Sequence, residues 1–148
     1  VFEAYLGAQM LALGLGGDVI DGEEKEIGWY PSPMLDVSTD HYLADLPIES
    51  VVFHWHGEQI ELPPGLRLLA SSHVCPVQAF ETNASSLGLQ SHLEVDGAEV
   101  ENMVWAFAGE VSAGDPGVMS PADMEFGLQK WGDSCRQYLF AILDRWEK

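Results

Sequence analysis

Three short segments of this 148-residue chain hold residue types able to do chemistry. Tyr5-Leu6-Gly7-Ala8-Gln9 is a tight turn between a strand stub and a helix, where backbone N–H groups at the helix N-terminus can meet a developing negative charge. His54-Trp55-His56-Gly57 carries two imidazoles at i and i+2, a spacing that turns both to one side of a strand and suits a zinc or iron ion. Gly88-Leu89-Gln90-Ser91-His92-Leu93-Glu94 ends in a histidine and a carboxylate at i and i+2, facing one way if the segment is extended. A base with a carboxylate to orient it is what nucleophilic catalysis requires.

Read together, these segments resemble the class I glutamine amidotransferases, especially stand-alone members similar to the amidotransferase domain of GMP synthase. In that family a strand runs into a Gly-x-Cys-x-Gly elbow followed by Ala-Gln or His-Gln, and the catalytic His and Glu lie in a later Gly-Leu-Gln-x-His-Pro-Glu motif. This chain matches Leu6-Gly7-Ala8-Gln9 after the elbow, and Gly88-Leu89-Gln90, His92 and Glu94 in the later motif. Between them lie Glu26 to Pro31, Phe53 to Gly57, Leu62 to Gly65, Ala70-Ser71-Ser72 and Cys75 to Phe80, in the family's order. The resemblance covers nearly all of the chain and is weakest in the terminal helical tail. It implies an α/β fold, a partial flavodoxin-like doubly wound sheet with C-terminal helices.

The departures bear on activity. The match places Tyr5 where the family carries its nucleophilic Cys, and Glu3 where it carries the first elbow glycine. A phenol has an unperturbed pKa of about 10 and fills the space the substrate amide needs, so Tyr5 is a poor nucleophile. Neither Cys75, matched to a non-catalytic family cysteine, nor Cys135 in the last helical segment replaces it; both read as small buried hydrophobes. The resemblance further implies that the family's first strands and the loop giving half of its oxyanion hole precede the elbow and are not among these residues. Leu6 N–H then offers one donor without its partner.

Stripping one side of such a sheet leaves a bare strand edge, from which a homodimer covering that surface is expected. Because the chain opens at Val1 rather than Met, the truncation is either natural or a trimmed end; Tyr5 departs from the family in both cases. Tyr5, His92 and Glu94 are thus the remnant catalytic candidates. Leu6, Gln9, His56 and Gly57 are the binding candidates, for a glutamine-like small molecule. Three classes of function stay open: a pseudoenzyme or binding module, an enzyme of altered chemistry using His92 and Glu94, and a purely structural protein.

His54-x-His56 followed by Glu61 also looks superficially like the first metal motif of a cupin. The glycine expected before the pair is absent, and no second motif with its His follows Pro63-Pro64-Gly65, so no metal is expected there. Trp29-Tyr30 and Phe53 to Trp55 read as core and pocket wall, and no cofactor is expected.

The elements that position these residues are short. Val1 to Ala4 reads as a strand stub and Leu6 to Leu15 as a helix stopped by Gly16-Gly17. Val19-Ile20, Ile27 to Tyr30, Met34 to Val37, Ser50 to His56, Glu58 to Leu62, Arg67 to Ala70, Val77 to Phe80 and Leu87 to His92 are strand candidates. Ala98 to Gly109 has helical spacing, Ser120-Pro121 starts another helix through Trp131, and Asp133 or Ser134 starts a last one.

The length favours a single domain over residues 1–148. Its 24 Asp and Glu against six Lys and Arg give a formal net charge of −18, which argues against nucleic acid and anionic membranes as partners. No apolar run approaches membrane-spanning length, no leader pattern opens the chain, and two cysteines make no disulfide framework, so a reducing cytoplasm is the expected location.

Overall fold

The β-prone run that begins near Ser50 does not stop at Gly57. In the computed structural model, which describes residues 2–35, 41–82 and 86–146, Glu49–Glu61 and Asp18–Pro33 form two long antiparallel strands. The extended pieces expected separately, Val19-Ile20 with Ile27–Tyr30 and Ser50–His56 with Glu58–Leu62, are therefore parts of one ladder. Its register slips between Asp21 and Glu26, and the slip sets Glu26 opposite His56 and Gly28 opposite His54. Residues 26–29 and 52–56 are buried whichever way they point, because both faces of this stretch are covered.

In chain order the elements are β1 (Phe2–Ala4), α1 (Leu6–Gly14), β2 (Asp18–Pro33), β3 (Glu49–Glu61), β4 (Arg67–Ala70), β5 (Ala79–Glu81), β6 (Leu87–Leu89), α2 (Gly97–Ala106), α3 (Ala108–Ser112) and α4 (Pro121–Trp146). A four-stranded sheet has the order β1-β6-β5-β4, with β1 parallel to β6 and the other pairs antiparallel. The α/β class expected from the sequence is what folds. Val1, the Asp36-Val37 end of one strand candidate and the terminal Glu147-Lys148 lie outside the described residues.

Alternation along β5 and β6 divides the core in two. Leu87, Leu89 and Ala79 join Trp29, Phe53, Trp55, Val100, Met124, Cys135 and Ile142 in the larger cluster, between strands and α4. Phe80 turns the other way, to Ala8 and Ala12 of α1. Gly88 is the contact that lets α1 come down on the sheet: a Cβ there would lie 2.6 Å from the Phe80 ring and 3.2 Å from Ala8 Cβ.

Three expectations are corrected. No helix boundary falls at Asp133 or Ser134, because the stripe of Met124, Leu128, Trp131, Cys135, Tyr138, Ile142 and Trp146 runs without a break against the core. Asp133, which looked like a cap, instead pairs with Arg136 one turn on. The helix expected over Ala98 to Gly109 breaks at Phe107 into α2 and α3, α2 starting on an Asp96/Glu99 capping box. Strand β6 stops at Leu89, so His92 and Glu94 do not share a strand; His92 meets Phe53 as an isolated bridge.

Candidate functional site

Tyr5 is the residue on which β1 turns into α1. Its φ of 44° and ψ of −108° make it the one non-glycine residue at positive φ among the described residues. A bulky side chain in that conformation costs on the order of 1–3 kcal/mol, held by the surrounding structure. The hold is visible: Tyr5 N–H donates to the Leu89 carbonyl at 2.7 Å, and the Tyr5 carbonyl accepts from Gln9 N–H at 3.1 Å to begin the helix. Strand-to-helix turns of this sharpness are how α/β enzymes expose a nucleophile. Gly7 completes the turn, since the Glu3 carboxylate occupies the place a Cβ at Gly7 would take.

The Tyr5 ring packs on His92, centroids 4.9 Å apart. His92 N–H donates to the Phe53 carbonyl at 2.8 Å, and its ring Nδ1 lies 2.7 Å from Glu94 Oε1. A carboxylate accepts, so Nδ1–H donates to Glu94, and Nε2 is left buried without a hydrogen-bond partner among the described residues. Burial alone would raise the Glu94 carboxyl, but the hydrogen bond and charge of His92 bring it below the usual range. Chemically, such an arrangement can serve as a base with its orienter. For Tyr5, burial and then the charges of Glu58 and Glu110 push the phenol above its usual pKa, so it is neutral and not a phenolate nucleophile at neutral pH.

Beside Tyr5 opens a cleft of about 580 Å³, walled by Trp55, His56, Gly57, Met103 and Phe107. Asp21, Glu23, Glu24, Glu58, Glu110 and Asp115 line it against a single Lys25, which pairs with Asp115 at 3.1 Å and Glu110 at 3.7 Å. The cleft therefore carries strong negative potential with aromatic walls, a setting for cationic groups. His92 and Glu94 are not in its lining; the Tyr5 ring stands between.

Below the cleft lies a buried polar cluster. His56 Nε2 is 3.5 Å from Glu26 Oε2, which also accepts from Gln78 Nε2 at 2.5 Å and Ser72 Oγ at 2.8 Å. Burial, then the charge of His92, lowers His56 to about 4, while burial raises Glu26 against the pull of Ser72 and Gln78. The pair is thus no salt bridge at neutral pH. His54, completely buried, is held well below the usual range by burial and by its neighbours His56 and His92.

Known proteins share this fold. Residues 5–110 match the family described as glutamine amidotransferase class-I. The chain belongs to the class I glutamine amidotransferase family. It is 33% identical over 100 residues to the glutamine amidotransferase-like protein YfeJ of Salmonella typhimurium, a span of 67% of this chain and 42% of that protein. It is 34% identical over 112 residues to a glutamine-hydrolyzing GMP synthase subunit of Thermococcus kodakarensis, 72% of this chain and 58% of that one. Among solved structures, a glutamine amidotransferase of Thermotoga maritima superposes with a TM-score of 0.84 at 27% identity, over 98% of this chain and 61% of its own. One from Methylobacillus flagellatus gives 0.89 at 25% identity, over 99% and 61%. The chain spans less than two thirds of each of these relatives.

Within this amidotransferase fold, the structure brings together three of the residues singled out by sequence, Tyr5, His92 and Glu94, though by a stack and a bend rather than along one strand. His56 and Gly57 line the cleft, whereas Gln9 is buried on the inner side of α1 with its amide nitrogen unpaired among the described residues, and Leu6 is exposed. Glu61 lies at the far end of β3, opposite Asp18 and exposed, so it does not join His54 and His56. Glu26 does. Its place at the end of an acidic stretch, just before a buried Ile-Gly-Trp run, was the available signal. Phe107, Glu110 and Asp115 of the cleft wall belong to no motif and were not singled out.

Proposed function

We propose that this chain is an amidotransferase-like binding module without glutaminase activity. The observation that carries the reading is the stack of the Tyr5 ring, on the sharp turn from β1 into α1, against His92; the family resemblance puts a nucleophilic Cys at that turn and its activating histidine at His92. A neutral phenol there neither attacks an amide nor leaves His92 open to the cleft. The dyad's role as base and orienter is then inherited geometry.

The ligand this reading favours is a small, glutamine-like molecule entering with its ammonium group toward Glu58 and Glu110 and packing on Trp55 and Phe107. Isothermal titration of the purified chain with L-glutamine tests it. Saturable heat lost on Trp55→Ala supports the binding module. No heat with glutamine overturns this ligand and leaves an interaction protein.

One observation favours a second reading, an altered hydrolase: the unpaired Nε2 of His92 is the atom a general base would use, given a swing of the Tyr5 ring. The proposal also includes a homodimer, supported by the exposure of Leu6, Met10 and Leu13 along one side of α1 (59%, 64% and 49%). The cytoplasmic placement is supported by two buried free thiols, and no described helix is long and apolar enough to cross a membrane.

A further inference from the structure

We propose that Glu26, His54 and His56 form a three-ligand site for a divalent transition-metal ion of the zinc type, tying β2 to β3 beneath the cleft. The strand register makes the set. His54 and His56 stand at i and i+2 on β3, and Glu26 faces His56 directly across the ladder, so all three point to one side. One potential ligand atom from each falls within 4.8 Å of the others. The 3.5 Å between His56 Nε2 and Glu26 Oε2 is close to the roughly 3.3 Å that separates two ligands held about 2.0–2.1 Å from a tetrahedral ion.

An independent observation points to a ligand. His54 has 0% exposure, and beyond an approach of its ring to the Tyr30 backbone neither ring nitrogen has a well-aligned hydrogen-bond partner among the described residues. Buried polar atoms are paired in the great majority of cases, and an imidazole in the core with one nitrogen toward a backbone group and the other idle is short of a partner that a metal ion would supply. The surrounding shell is already built. Ser72 Oγ and Gln78 Nε2 both donate to Glu26 Oε2, and Gln78 Nε2 also lies 3.4 Å from His56 Nε2, so an ion held by these two ligand atoms takes the side away from the Gln78 amide. A route in exists as well: His56 lines the cleft, whose carboxylates gather cations at its mouth. Two histidines and one carboxylate leave a fourth position free, the donor set of open zinc and non-haem iron sites.

The test uses the chain freed of metal with a chelator, then titrated with Zn²⁺ by calorimetry and with Co²⁺ by visible absorption. The expected result is one equivalent bound per chain, the d–d bands of a tetrahedral Co²⁺ ion, and a raised melting temperature. Glu26→Gln, nearly isosteric, and His54→Leu should each weaken binding by at least about tenfold, and Ser72→Ala by about tenfold. Glu61→Gln and Glu110→Gln should leave it unchanged. Circular dichroism shows which variants fold, and Glu26→Gln alone suffices if His54→Leu does not. No binding by the folded wild-type chain overturns the proposal. So does binding that survives Glu26→Gln but is lost in Glu110→Gln, which would assign the ion to the acidic cleft.

Discussion

Tyr5 and His92 face each other ring to ring, 4.9 Å between centroids and 34° between planes, joining the elbow after β1 to the bend after β6. Because His92 is fixed by Phe53 on one side and Glu94 on the other, a side chain placed at residue 5 meets an imidazole already oriented.

Replacing Tyr5 with Cys should therefore create a reactive thiol. At a helix N-terminus beside an oriented imidazole, a thiol pKa falls well below its free value. Alkylation mapped by mass spectrometry at pH 7 should label residue 5 at least about tenfold faster than either native cysteine. Equal labelling of all three positions would show that His92 does not act on residue 5.

The native thiols supply the contrast. Burial pushes Cys75 up to about 11 and Cys135 up to about 12. Both should resist a disulfide reagent at pH 8 until the chain unfolds. The linkage follows the same sign: with folded values above the unfolded one, stability is intact below about pH 9 and falls as the pH rises toward 11–12. Alkaline melting curves of Cys135→Ala should fall less steeply than wild type.

Glu81 anchors a separate, partly buried corner. It accepts from Tyr42 OH at 2.5 Å, from Arg67 Nη1 at 3.0 Å and from His41 Nε2 at 2.9 Å, the last fixed because His41 Nδ1 takes the Leu43 N–H. Burial would raise the Glu81 carboxyl, but Tyr42, then His41 and Arg67, bring it below the usual range. A carboxylate so depressed stabilises the fold above its unfolded pKa and loses that contribution as the pH falls through its folded value. Glu81→Gln should cost about 1–3 kcal/mol at pH 7, a melting-temperature loss of several degrees that narrows in acid. A loss independent of pH would deny the carboxylate this role.

Self-association should show in light scattering across micromolar concentrations, and Met10→Glu should shift the particle to half the mass. A monomer throughout would remove the homodimer from the proposed function.

The local parts of this site were legible in the sequence. The elbow spans five consecutive residues, and the His92–Glu94 pair two positions, so motif spacing was enough to bring them forward. The turn that takes His92 out of β6 was hidden, because Gln90 and Ser91 carry no breaker. Glu26 itself stood in view before its Ile-Gly-Trp run, but its partnership with His54 and His56 was hidden, because it depends on a register slip between Asp21 and Glu26 that no local pattern encodes. Likewise Asp133-Ser134 reads as a helix start in isolation, and only packing of the continuous stripe on α4 against the core overrides it.

If Tyr5 closes the amidotransferase reaction, ammonia release from L-glutamine by the purified wild-type chain is the most direct measure of it. No ammonia above the protein-free blank is expected over hours at saturating glutamine. Sustained release that disappears on His92→Ala would contradict the closed elbow and establish the His92–Glu94 dyad as a working base.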